Sequence, residues 1–170
     1  DAGEGETGLR LLLRAHAVRP NSLECRANLI NALRDTGKLP TARAMADESL
    51  AIADWHPYLL TARAALRMDE GDTTGALADL ERATATVPHE LRIAARAAEV
   101  RLAVAVDGDA RERAFGVLAQ LIEVGDLTGA RDAVRGMSLR DPEFLRVLLD
   151  RQFARAATEE TGAKEETEET

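Results

Sequence analysis

Aromatic side chains are nearly missing from this chain: one Trp, one Tyr and three Phe among 170 residues, 3% in all. A β-sandwich or barrel draws its core from aromatic and β-branched residues, so the shortage all but excludes an all-β fold. Lysine is as scarce, with Lys38 and Lys164 alone against 20 Arg. That bias is typical of a GC-rich coding sequence and points to a bacterial source. A single cysteine, Cys25, excludes an internal disulfide and reads as a small buried hydrophobe rather than a reactive thiol. No apolar run approaches the roughly 18 residues of a membrane span, and no basic-then-apolar leader opens the chain. Membrane insertion is therefore not expected, and the chain reads as soluble, with the cytoplasm favoured over the periplasm. It begins at Asp1 rather than Met, so a trimmed or processed product is expected. With 12 Gly and five Pro it has too few of either for a disordered or collagen-like chain.

What is abundant is alanine, 32 residues in a chain that is 45% apolar. Small side chains suit closely packed helices, because Ala loses no rotamer freedom in a helix and lets two backbones approach. The formal charge is −8, but residues 158–170 hold six Glu and one Lys, which leaves −3 for the rest. Glu159, Glu160, Glu165, Glu166, Glu168 and Glu169 form a low-complexity end with nothing to bury, expected to be a disordered acidic tail. Elsewhere Arg is interleaved with Asp and Glu. Nucleic-acid binding is not expected, since it needs a clustered basic face.

The residues also repeat. Gly3, Gly37 and Gly71 stand 34 apart, as do Gly8, Ala42 and Ala76, and Ala15, Ser49 and Ala83; Pro20 and Pro88 lie two periods apart with Asp54 between them. Leu23 to Thr36 and Pro57 to Glu70 carry apolar residues at helical intervals and end at a Gly able to take the left-handed conformation. Second helices follow at Thr41 to Ala53 and Thr73 to Val87. Asn21 with Glu24 has capping-box spacing. The unit is a 34-residue helical hairpin, with Ala42 and Ala76 where a larger side chain would overpack the contact.

This pattern resembles the tetratricopeptide repeat (TPR) family, whose unit carries a turn Gly, an early Ala in its second helix and a closing Pro. Gly37, Ala42 and Ser49 match in one unit, and Gly71, Ala76, Ala83 and Pro88 in the next; Gly3 to Pro20 matches a half unit. Arg26 and Leu60 stand where the family has a bulky aromatic. Past Pro88 the register slips: Leu91 to Val106 reads as one helix, Ala105 replaces the expected Gly, and Asp109 with Glu112 looks like a capping box for a helix to Val124. Gly125, Ala130 and Pro142 then restore the spacing. Asp141-Pro142-Glu143 signals a last helix to about Ala156.

The expected fold is thus all-α, a right-handed α-solenoid of about four TPR-like hairpins and about nine helices. Its parts are a half repeat at 3–20, repeats at 21–54 and 55–88, an irregular pair at 89–124, a TPR-like unit at 111–142, a capping helix at 142–156 and the tail at 158–170.

The resemblance implies a concave groove, lined by first helices, that holds a peptide or partner protein. The lining would be Glu24, Ala27, Asn31, Arg34 and Asp35, then Tyr58, Thr61, Ala65, Met68 and Asp69, then Arg92, Ala95, Arg96, Glu99 and Leu102. Of the carboxylate clamp found in chaperone cofactors, Asn31, Arg92 and Arg96 fit, whereas Ala27 and Ala62 occupy the remaining Lys and Asn positions. The clamp is therefore not expected, and Arg96 is expected to pair with Glu99 at i,i+3 instead.

No catalytic residue, cofactor or metal is expected. His16, His56 and His89 share no i,i+4 face with each other or with Cys25, and no phosphate loop, nucleophile elbow or dinucleotide fingerprint occurs. Trp55, His56 and Tyr58 are expected to seal the joint between hairpins, and Met45, Met68 and Met137 to fill gaps. Leu9, Leu12 and Leu13 are apolar for a terminal helix and suggest a face for self-association, an upstream repeat or a partner. The functional expectation is a non-catalytic scaffold or adaptor in a bacterial assembly. The alternative is a regulatory or substrate-recruiting segment of a larger enzyme such as a glycosyltransferase or sulfotransferase.

Overall fold

The computed structural model describes residues 2–151, with side chains from residue 4 onward. Nine helices and no strand occur among the described residues: α1 (Ala2–Val18), α2 (Leu23–Asp35), α3 (Leu39–Ile52), α4 (Pro57–Asp69), α5 (Thr73–Thr86), α6 (Leu91–Val104), α7 (Gly108–Glu123), α8 (Leu127–Arg140) and α9 (144–151). The expected tail, and the end of the capping helix, lie outside the described residues.

Two turns recur and build the stack. Inside a hairpin, Gly37, Gly71 and Gly125 take φ of 75°, 81° and 77°. After each, the next residue donates back to the sixth-last carbonyl: Lys38 to Leu33, Asp72 to Arg67, Asp126 to Leu121, at 2.8, 2.8 and 2.9 Å. This is a Schellman ending, which only a residue tolerant of the left-handed region enters cheaply. Between hairpins, Ala53, Val87 and Asp141 each donate to the carbonyl four residues back and accept from the N–H three residues on. These two turns place α2/α3, α4/α5 and α7/α8 as equivalent hairpins. Gly3, aligned with the turn glycines by spacing, lies inside α1.

A second signature accompanies two of the glycines. Gly71-Asp72-Thr73-Thr74-Gly75-Ala76 recurs as Gly125-Asp126-Leu127-Thr128-Gly129-Ala130. In each, the Asp caps the following helix by accepting from the Gly N–H three residues on, at 2.9 Å. At Asp72 and Asp126 the carboxylate lies in the space that a Cβ on Gly75 or Gly129 would take, so a side chain there would make the carboxylate move. At α2 the capping side chain is Ser22, not Asn21, accepting from Cys25 N–H at 3.2 Å; at α7 it is Asp107, not Asp109, accepting from Ala110 N–H at 2.7 Å.

The glycine argument fixes the sign of two substitutions. Gly71→Ala meets open space but must hold φ 81°, so it is expected to cost about 1–2 kcal/mol. Gly116→Ala, in the exposed middle of α7 with nothing near, should stabilise by about 0.5–1 kcal/mol. Urea unfolding midpoints read both. Equal effects would mean that left-handed geometry is not what Gly71 supplies.

Burial follows the small-residue columns. Ala42, Ala46, Ala76 and Ala83 are 0% exposed at the hairpin contacts. The packing falls into two clusters. Leu29, Ile30, Leu59, Leu60, Leu66 and Leu80 centre the first, and Leu118, Leu121, Met137 and Phe144 the second. Helix α6 belongs to both, giving Ile93 and Val100 to the first and Ala95, Ala98 and Leu102 to the second. It is the extra element: Gly125 follows Gly71 by 54 residues, one period plus 20. Whereas α4 packs on α2, α6 packs on α5, α7 and α8. The stack of hairpins is consistent with a solenoid.

Candidate functional site

Residues of the expected groove gather at two places. The first is the α2/α4 face. Glu24 accepts from the Ser22 hydroxyl at 3.1 Å and lies 3.6 Å from His56 Nε2. Its pKa falls below the ordinary carboxylate value, chiefly through its own backbone N–H and then through Ser22. Arg34 pairs with Asp35 at 2.8 Å and reaches Asp69 of α4 at 3.5 Å. The Thr61 hydroxyl donates to the Pro57 carbonyl at 2.9 Å, and Met68 is half-buried against the first cluster. The side chains of Asn31 and Tyr58 make no hydrogen bond among the described residues, and Tyr58 is exposed. In the aromatic group only His56 is buried; Trp55 and Tyr58 flank it with ring centroids 5.7 and 5.9 Å away and remain open to solvent.

The second is an open groove of about 570 Å³ between α6 and α8. Arg92 holds Asp126 with two 2.8 Å hydrogen bonds, so the carboxylate that caps α8 also ties it to α6. Asp126 is driven to lower pKa, by Arg92 first and the Gly129 N–H second. Arg96 pairs with Glu99 at 2.6 Å, the expected i,i+3 bond, and Arg140 approaches the other Glu99 oxygen at 3.6 Å. Glu99 is only 8% exposed, and it has room because Gly136 has no side chain: a Cβ there would stand 2.5 Å from the carboxylate. Arg135 lines the same groove and makes no ion pair among the described residues, while Leu139 is 75% exposed at its edge. Arg135, Leu139 and Arg140 lay outside the sequence reading, which drew the lining from first helices. The glycines of α8, Gly129 and Gly136, seven residues apart on one face, were the available signal of a close helix neighbour.

Three more positions change meaning. Leu9 is 2% exposed and Leu12 packs on the first cluster, because residues three apart on α1 both turn toward α2. Of the proposed self-association face only Leu13 is open, and the large apolar side chains exposed on α1 are Leu11, Leu13 and Val18. Met45 and Met68 pack on the first cluster and Met137 is wholly buried in the second. No group of three or more His, Cys, Asp or Glu is placed to hold a metal ion among the described residues, and no helix there is long and apolar enough to cross a membrane.

No family model matches this chain, and no curated protein matches it significantly.

Proposed function

We propose that this chain is a non-catalytic interaction scaffold of tetratricopeptide type, a right-handed superhelix that binds a peptide or partner protein within a bacterial assembly. The observation that carries the reading is the α6/α8 groove, where exposed Leu139 stands beside Arg96, Arg135 and Arg140. Arg96 and Arg140 are held by Glu99 before any ligand arrives. A guanidinium already fixed loses little side-chain freedom on binding and keeps further donors to offer. A segment with an apolar side chain flanked by carboxylates or backbone carbonyls suits this surface. Asn31 and Tyr58 on the α2/α4 face extend the same reading to a longer ligand.

Peptides selected from a displayed random library against the purified chain provide the test. Leu139→Glu and Arg135→Glu are each expected to weaken the selected peptides at least tenfold, about 1.4 kcal/mol. Arg113→Glu, on exposed α7 outside the groove, should leave them unchanged. Binding indifferent to Leu139→Glu would remove the groove from the proposal.

A further inference from the structure

Phe115 and Phe144 are buried in the second cluster, whereas Trp55 and Tyr58, the single Trp and the single Tyr of the sequence, are 58% and 44% exposed. Both lie in the middle of the stack, at the junction of the α2/α3 and α4/α5 hairpins. The repeat shows that packing does not require rings there. Counted from the inter-hairpin turns at Ala53, Val87 and Asp141, Trp55 stands in register with His89 and Glu143, and Tyr58 with Arg92 and Arg146. One period earlier the same positions hold Asn21 and Glu24. Every one of these equivalents is polar or charged, and every one is exposed. The fold keeps both positions in water in each repeat, and only at this junction do they carry the large aromatic side chains.

The two rings belong to one surface. Both stand against the buried His56 ring, with centroids 5.7 and 5.9 Å from it and planes tilted by 53° and 58°. Their own separation therefore cannot exceed those two distances together. Trp55 Nε1–H and the Tyr58 hydroxyl make no hydrogen bond among the described residues. Carboxylates border the rings: Glu24 lies 3.6 Å from His56 Nε2, and Asp54, the neighbour of Trp55 in sequence, pairs with Arg82 at 3.2 Å. The surface also sits where α4 begins, at the positive end of that helix's dipole.

Unused N–H and O–H donors beside flat apolar rings suit a ligand whose carbonyls are unclaimed. In a helix the carbonyls bond internally, whereas a polyproline II segment has no internal hydrogen bonds and, being stiff already, loses little freedom on docking. Its residues i and i+3 fall on one side about 9 Å apart, within the span that His56 sets for the two rings. The helix dipole disfavours a cation over the rings, and the bordering carboxylates disfavour an acidic segment. We propose that Trp55 and Tyr58 bind a proline-rich segment of a partner protein, in polyproline II form and poor in Asp and Glu. One proline ring lies on each aromatic, and the segment's carbonyls accept from Trp55 Nε1–H and from the Tyr58 hydroxyl. On the reading of the chain as an interaction scaffold, this is a second surface, opposite in charge preference to the arginine-lined α6/α8 groove.

Because Trp55 is the only Trp, its emission reports on this surface alone. Titrating the whole chain with end-blocked decaproline is expected to give a saturable blue shift, half complete at about 1 mM or below. An equally long Gly-Ser peptide should give none. Tyr58→Ala should weaken decaproline binding by about tenfold or more, with unchanged circular dichroism. Leu139→Glu, which is directed at the α6/α8 groove, should leave it intact, so the two surfaces succeed or fail separately. The absence of a saturable shift up to about 10 mM, or an equal shift from the Gly-Ser peptide, would overturn the proposal. So would indifference to Tyr58→Ala or loss of decaproline binding in Leu139→Glu.

Discussion

Asp79→Ala is expected to destabilise the protein by about 3–5 kcal/mol, the cost of removing one partner from a buried ion pair. Asp79 lies in α5 at 2% exposure and accepts from Arg63 Nε and Nη2 at 2.8 and 2.7 Å and from Arg67 Nη1 at 2.9 Å, both arginines reaching across from α4. Arg63 is held above its ordinary pKa, chiefly by the hydrogen bond to Asp79. Without the carboxylate, Arg67 keeps the Gly75 carbonyl at 2.8 Å, but Arg63 retains no partner in the helix contact. For a chain of this length the loss corresponds to a fall in Tm on the order of 10 °C. Breaking an exposed pair such as Arg146 with Glu143 would cost about 1 kcal/mol at most.

The repeat supplies its own control. One period earlier, Leu29, Leu33 and Met45 stand where the second hairpin has Arg63, Arg67 and Asp79, and there the contact is apolar. A buried ionic cluster exchanged for well-packed apolar residues is commonly neutral or stabilising. The triple change Arg63→Leu, Arg67→Leu, Asp79→Met should therefore recover all of what Asp79→Ala loses, by urea denaturation. A triple variant as weak as the single one would mean that the network, rather than the stranded charges, holds α4 to α5.

Much of this architecture was legible because its causes are local. A glycine at φ near 75–81° ends a helix whatever surrounds it, and Gly37, Gly71 and Gly125 announce themselves by spacing. The slip after Pro88 was legible as well, since Ala105 cannot replace such a glycine, and α6 proves to be the helix outside the hairpin register. Capping was read a residue or two off, because Asn21 and Ser22, or Asp107 and Asp109, are chemically equivalent on paper and only the path of the incoming chain selects one. The helix that α6 faces was not legible. Arg92, Arg96 and Glu99 were assigned to a groove continuous with α2 and α4, but the extra helix redirects the stack and sets them beside α8, a tertiary choice with no local mark. The leucines of α1 show the same limit: three consecutive Leu point around most of a turn, and which of them is buried depends on where α2 lies.

Phe144→Ala carries the other large effect, and its interest lies in where the energy is lost. Phe144 is 0% exposed and stacks on Phe115 of α7 with ring centroids 5.0 Å apart. Truncating a buried Phe costs about 3–5 kcal/mol in a site that cannot collapse. The other attachments of α9 are modest: Val147 and Leu148 are half-buried, and Arg151 lies over the Phe115 ring at 5.0 Å while bonded to Glu112 in a pair that is 46% and 65% exposed. An exposed pair of that kind contributes about 1 kcal/mol or less. The penalty at Phe144 therefore exceeds what remains to hold α9, and release of that helix caps the global loss. Hydrogen exchange is expected to show amides of 147–151 losing protection by a hundredfold or more, about 3 kcal/mol, while α2 through α5 keep theirs. Uniform loss of protection along the whole chain would show instead that both clusters unfold as one unit and that α9 is integral to them.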